Sequence, residues 1–299
     1  MVMVKIRRGS AGGRANEKGS VYRASVGAYL IAFGLADRHV PLDIPSPGVP
    51  TWIWFESDAP VDDLAVRFSS GARWDIQATT RCGWDNKFRK TTAQWGRAAR
   101  SGRLQPDDRV ALVASDVSLP LLDLRDAFRR VRDGGTCIPS EAAAIARLRT
   151  DADADGWLDV FDEIIRTAVI VRLDSAAELD PGSREAAVLL ESTAVRPGSG
   201  TTAMSALRDF VHTEAARAGS SRSDRWAKVL LDRGIQLGPT APSALQVAAV
   251  RLAEYRRLLA EDLDHLPLNF LGVAAAPPKV RDLVDRFAVE FPGQDPYGR

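Results

Sequence analysis

Four oxygen-bearing side chains lie close together in residues 51–94, TWIWFESDAPVDDLAVRFSSGARWDIQATTRCGWDNKFRKTTAQ: Glu56, Asp62, Asp63 and Gln77. Hydrolysis of a phosphodiester with magnesium needs two or three hard oxygen ligands on one side of a sheet. The metal activates water and offsets charge on the leaving oxygen. A cation beside it, usually lysine, stabilises the charge that develops on phosphorus oxygens. Acidic residues at adjacent strand ends meet that demand if the strands pair in sequence order. The plainer alternative is that ESDAPVDD is a solvated acidic turn and Gln77 a polar position on a half-exposed strand.

The elements that would position these residues can be read from the pattern. From Glu17, Val21, Ala24, Ala28 and Ile31 fall at helical spacing, which predicts one helix ending near Gly34. A connection broken by Pro41, Pro45, Pro47 and Pro50 follows. TWIWFES is aromatic and β-prone, VDDLAVRF a second strand and ARWDIQATT a third. The third strand's period of two places Asp75, Gln77 and Thr79 on one face and Trp74, Ile76 and Ala78 on the other. Glu56 thus closes the first strand, Asp62 and Asp63 open the second, and Gln77 sits within the third. DNKFRKTTAQWGRAARSG reads as a basic helix between Asp85 and Gly102, DDRVALVAS as a buried strand, and LLDLRDAFRRVRDGG as an amphipathic helix. From Pro139 the patterns are helical, with AVIVRLD a lone candidate strand.

The order of elements, with FESDAPVDDLAV, WDIQATT and the basic helix behind them, resembles the PD-(D/E)xK restriction-endonuclease-like superfamily over residues 12–135. It is most similar to the N-terminal double-stranded DNA endonuclease domains of bacterial antiphage effectors. The resemblance implies an α/β restriction-endonuclease-like core with a mixed central sheet, and an all-helical region after it. It implies a metal-dependent DNA endonuclease, with Asp63 and Glu56 binding Mg²⁺ or Mn²⁺, Asp62 assisting, and Gln77 at the second acidic position of the catalytic set. The superfamily's lysine belongs two residues after Gln77, where this chain has Thr79. Substitute cations are Arg81 at the strand end and Lys87 or Lys90 on the following helix. Lys87, Arg89 and Lys90 are the expected phosphate contacts to double-stranded DNA. Because threonine carries no charge, a catalytically degenerate descendant is the companion expectation.

Other signals compete. DADADGWLDVFD at 151–162 follows the calcium-loop pattern, with Asp151, Asp153 and Asp155 at positions 1, 3 and 5 and Gly156 at the turn. Asp162 replaces the usual glutamate, which shortens the last ligand and weakens Ca²⁺ binding. GSGTTAMSAL at 198–207 has no Gly-Lys-Ser/Thr, so its Ser and Thr read as helix caps rather than a phosphate loop. Trp52, Trp54, Trp74, Trp84 and Trp95 read as core and helix–sheet packing.

The totals set bounds. A chain of 299 residues with two cysteines, Cys82 and Cys137, supports neither a disulfide framework nor a zinc site built on cysteine alone. No apolar run is long enough for a membrane span, and MVMVKIRRGSAGGR lacks a secretory core, so cytoplasm is expected. Residues 1–103 hold 16 basic against 9 acidic side chains and the remainder 24 against 30, which directs any polyanion to the first part. The expected divisions are a flexible 1–16, a nuclease-like domain at 17–137, a helical domain at 138–291 and a tail or linker at 292–299. The helical part would regulate, form a homodimer, or lead to a sensor beyond residue 299. A non-catalytic nucleic-acid or protein-binding scaffold is the alternative function, and a calcium-responsive interaction protein the weaker one.

Overall fold

In the computed structural model the described residues are 11–41, 48–55, 63–175, 177 and 180–238, within a compact unit that spans Met1–Pro239. Glu56, Asp62 and the helical patterns and tail expected after residue 238 lie outside the described residues. The first helix, α1 (Ala11–Leu35), begins earlier than expected and takes in Gly12 and Gly13. From residue 19 to 35 its only charged side chain is Arg23. A helix apolar nearly all round must be covered all round, and Tyr22, Val26, Ala28, Tyr29, Ile31 and Ala32 are accordingly buried.

Six strands form one mixed sheet among the described residues: β1 (Pro50–Phe55), β2 (Leu64–Phe68), β3 (Arg73–Cys82), β4 (Arg109–Val117), β5 (Ala168–Arg172) and β6 (Ser220–Arg222). Their order is β5-β4-β3-β2-β1-β6. The β3–β4–β5 side is parallel and the β3–β2–β1–β6 side antiparallel. Parallel neighbours need a crossover, and α2 (Asn86–Arg100) supplies the one between β3 and β4.

Two cores sandwich this sheet. On one face Ile53, Phe55, Leu64, Val66, Phe68, Trp74, Ile76 and Ala78 pack with α1, α6 (Pro181–Thr193), α7 (Gly200–Ala215) and α8 (Ser223–Asp232). On the other, Val110, Leu112, Ala114, Ala168 and Ile170 pack with α2, α3 (Leu119–Arg132), α4 (Pro139–Ala154) and α5 (Phe161–Thr167). The continuous apolar run of β4 reflects burial on both faces, as a central parallel strand requires. The expected alternation of β3 is observed: Trp74 and Ile76 are each 1% exposed against α1, with Asp75, Gln77 and Thr79 on the opposite face. Close approach of α1 to its neighbours explains a glycine there. A Cβ on Gly34 would lie 2.6 Å from the Pro50 carbonyl oxygen and 2.5 Å from the Trp226 ring.

The region after residue 137 is not all helical, because β5 and β6 join the sheet at opposite edges. The expected division at 137/138 therefore runs through a continuous sheet. AVIVR carries a strand's β-branched signature, whereas the three residues of β6 are too few to show alternation.

The start of α7 departs from the expected cap. Ser199 occupies the N-cap position without a side-chain cap. Glu191 instead reaches across from α6, accepting from Gly198 N at 2.5 Å and Gly200 N at 2.6 Å. These backbone donors hold the Glu191 carboxyl below the ordinary glutamate range. A depressed folded-state pKa gives stability that is present above the unfolded value and lost as pH falls through the folded one. Thermal melts of wild type and Glu191→Gln are expected to differ at neutral pH and to converge on acidification below the ordinary glutamate range. A gap that persists unchanged at low pH would exclude the ionised cap.

Candidate functional site

Asp63 stands just before β2, one step past the last β2–β3 pair, Leu64↔Ile76. Its Oδ2 accepts the Ala78 amide at 2.9 Å, satisfying a β3 donor that β2 no longer reaches, and also accepts from Gln77 Nε2. Its Oδ1 pairs with Arg23 Nη1 of α1 at 3.2 Å, with both side chains largely shielded from water. The backbone and two side chains thus fix the carboxylate at the edge of the polar face of β3. Since Gln77 donates through Nε2, its Oε1 is the atom with ligand character.

Two residues on, Thr79 is 3% exposed. Its Oγ1 donates to the Arg81 carbonyl at 3.2 Å and accepts from Lys87 Nζ at 2.6 Å. Lys87 reaches it from the first turn of α2. That turn is fixed by the N-cap Asp85, whose Oδ1 accepts from Lys87 N at 2.8 Å and Phe88 N at 3.0 Å. The Lys87 ammonium, carried by the next helix, therefore lies at the Thr79 position of β3. Asp63, Gln77, Thr79 and Lys87 form one continuous group along the β3 edge of the site.

The other expected cations stand elsewhere. Arg81 pairs with Asp116 at 3.3 Å in the open, with both side chains well exposed. Lys90 is exposed on α2. Arg89, expected at phosphate, is instead held by Asp155 at 2.5 Å and lies 3.7 Å from Asp151. Its charge is internally compensated, which leaves Lys87 and Lys90 as the phosphate candidates of this helix.

Those same acidic residues match the calcium-loop pattern that carried the weaker alternative, and the segment is not a loop. Asp151 and Asp153 lie in the last turns of α4, and Asp155 is its C-cap. Ala-rich sequence favours helix here, and Gly156, at φ +72°, makes the turn that follows. Asp151 accepts from Trp84 Nε1 at 2.7 Å, Asp159 pairs with Arg100, and Asp162 lies 3.7 Å from Arg149. Calcium coordination would require these pairs to break and α4 to unwind.

At the far end of the polar face, Asp75 lies below Arg73, which donates to it at 2.7 Å. Burial pushes the Asp75 carboxyl up, while Arg73 pulls it back. Burial, with Asp85 nearby, pushes the Cys82 thiol up to about 12, so it stays protonated at neutral pH and is no nucleophile.

A hard divalent cation finds matching donor types in the Asp63 carboxylate and the Gln77 amide oxygen. Among the described residues no three His, Cys, Asp or Glu side chains gather as a metal site. A third ligand would have to come from Glu56, outside them. Arg23 was absent from the expected set. Its signal was available: the single charge in the apolar stretch 19–35 of α1 demands a partner, though the sequence does not say which.

No protein-family model matches this chain, and no curated protein matches it. Among solved structures it is similar to the Acinetobacter baumannii Cap4 SAVED/CARF-domain containing receptor with the cyclic trinucleotide 3'3'3'-cAAA, at 10% identity and a TM-score of 0.45, over 72% of this chain and 46% of that one. It is also similar to the Moraxella osloensis Cap4 SAVED/CARF-domain containing receptor, at 12% identity and a TM-score of 0.41, over 72% of this chain and 48% of that one. The chain spans about half the length of these structures. Among the described residues no helix is long and apolar enough to cross a membrane.

Proposed function

We propose that this chain carries a metal-dependent DNA endonuclease site of the restriction-endonuclease-like kind, serving bacterial antiphage defence. The observation that carries the reading is the 2.6 Å contact between Lys87 Nζ and Thr79 Oγ1. It supplies an ammonium where the sequence resemblance asks for the lysine that Thr79 replaces. The defence role rests on the sequence resemblance alone.

In this reading Asp63 and Gln77 would hold Mg²⁺ or Mn²⁺, with Glu56 from outside the described residues. When bound, such an ion makes water a better nucleophile at neutral pH and offsets charge on the departing oxygen. The chain's own residues do the rest. The Ala78 amide fixes the Asp63 carboxylate. Thr79 orients Lys87, whose ammonium faces the phosphate oxygens as their charge grows. Lys90, one turn further along α2, contacts the flanking phosphate.

The Arg23–Asp63 pair favours a second reading, the non-catalytic nucleic-acid or protein-binding module. Arg23 neutralises the carboxylate that a metal needs. Metal binding separates the two. Mn²⁺ titration followed by electron paramagnetic resonance is expected to show a bound ion in wild type and none in Asp63→Asn. Removal of the competing guanidinium in Arg23→Gln is expected to tighten Mn²⁺ several-fold, since ~1.4 kcal/mol of relieved competition is a factor of ten. Wild-type protein that binds no Mn²⁺, with Arg23→Gln equally silent, would establish the binding module.

A further inference from the structure

The polar face of β3 continues beyond the candidate site into a strip of tryptophan and arginine. On β1, Trp52 and Trp54 point away from the core that holds Ile53 and Phe55, and they belong to neither buried core. Both are half-buried, and their rings stack at 4.3 Å with 21° between planes. Cross-strand register places Arg222 of β6 and Arg67 of β2 opposite Trp52, with Arg73 of β3 opposite Arg67. The Arg222 guanidinium lies 4.1 Å over the Trp52 ring, and Arg67 and Arg73 lie 5.7 and 5.8 Å from Trp54. Arg67 and Arg222 are exposed.

This arrangement differs from packing of a hydrophobic core. The stacked indole pair is flanked by Arg222 at one end and by Arg67 and Arg73 at the other along a half-buried strip, and guanidinium N–H edges serve oxygen acceptors. Among the described residues, only Arg73 of the three arginines has a carboxylate on this face, Asp75. The strip is therefore net positive. Between it and Asp63 on β2 stands Ala65, itself buried, opposite Trp54 and Asp75.

We infer that this strip of Trp52, Trp54, Arg67, Arg73 and Arg222 is a binding platform for single-stranded DNA. Unpaired bases stack on indole and guanidinium planes, and arginine edges take the phosphates, a combination that serves strands of any sequence. Duplex DNA hides its base faces and gains only the phosphate term. The choice of DNA over RNA rests on the proposed nuclease reading. The platform itself does not, because its residues lie outside the Asp63–Lys87 group. A strand lying along this face would lead towards Asp63, so frayed or locally opened DNA would be held beside the site.

The test uses the full chain in EDTA, so that binding is read without cleavage. Fluorescence anisotropy with labelled oligo(dT), oligo(rU) and a duplex of equal length is compared across a salt series. Oligo(dT) is expected to bind tighter than the duplex, with tryptophan fluorescence quenched on binding. Trp54→Leu is expected to weaken oligo(dT) about tenfold, as loss of one stacked base would. Arg67→Gln/Arg222→Gln, which alters only exposed side chains, is expected to weaken it at least as much and to flatten the salt dependence by about two phosphate contacts. That double variant carries the test if Trp54→Leu does not fold. Because binding is read in EDTA without cleavage or metal, a failed nuclease reading leaves this result standing. Equal binding of duplex and oligo(dT), unchanged binding in the double variant, or a preference for oligo(rU) would each overturn the proposal.

Discussion

Lys87→Ala is expected to lower metal-supported DNA cleavage by about 10²–10³-fold, the usual effect of removing one preorganised donor from a developing oxyanion. Lys87 is exposed on the first turn of α2, and the hydrogen bond its backbone N–H donates to Asp85 Oδ1 survives the substitution. Its effect on stability should stay within about 0.5 kcal/mol, as for surface sites generally. A large loss of rate without loss of Tm is the signature of a charge acting at the site. Lys87→Arg should retain part of the rate, because the charge survives but the compact ammonium at Thr79 Oγ1 does not. Thr79→Lys in the Lys87→Ala background should recover much of it, since it returns the ammonium to the strand. Single-turnover rates and melting curves for the four proteins decide the matter. Equal rates in wild type and Lys87→Ala would assign the cation elsewhere.

Asp63→Ala is expected to abolish Mn²⁺ binding and also to destabilise the fold, by about 2–4 kcal/mol. The stability loss follows from what the carboxylate holds. Without it the Ala78 amide loses its acceptor and the partly buried Arg23 loses its ion pair with Asp63. Asp63→Asn keeps an acceptor for Ala78 and should cost less. Urea denaturation of both variants at neutral pH reads these differences. A residue acting only on substrate would leave the urea midpoint unchanged, so an unshifted Asp63→Ala midpoint would contradict the contacts to Ala78 and Arg23.

The contrast between these two residues shows how much of the site the sequence could disclose. The β1–β2–β3 order, the inward row of Trp74, Ile76 and Ala78, and the polar row opposite it were legible because strand periodicity is local. Lys87 was legible as one of three substitutes, since Arg81 and Lys90 have the same charge and also lie close in sequence. Only tertiary geometry distinguishes them: the Arg81 guanidinium turns to Asp116, and of the three cations it is the Lys87 ammonium that reaches Thr79. Arg23 was hidden by its distance along the chain, and Arg89 by a partner more than sixty residues later, Asp155. The tryptophans divide for a similar reason. Trp74 and Trp95 fill cores as expected, but Trp52 and Trp54 occupy the opposite face of β1, which sequence alternation locates without saying that among the described residues neither joins a buried core. The AVIVR strand was visible as a candidate, while its place beside β4 depended on pairing that no local pattern encodes.

The most direct measurement is cleavage of supercoiled plasmid by the purified full chain in Mg²⁺ or Mn²⁺, with Asp63→Asn and Lys87→Ala run beside it. The proposed site predicts nicked and linear products from wild type, none from Asp63→Asn, and strongly reduced amounts from Lys87→Ala. Products that persist undiminished in Asp63→Asn, or a wild-type chain that binds Mn²⁺ neither alone nor with DNA and leaves the plasmid intact, would contradict it.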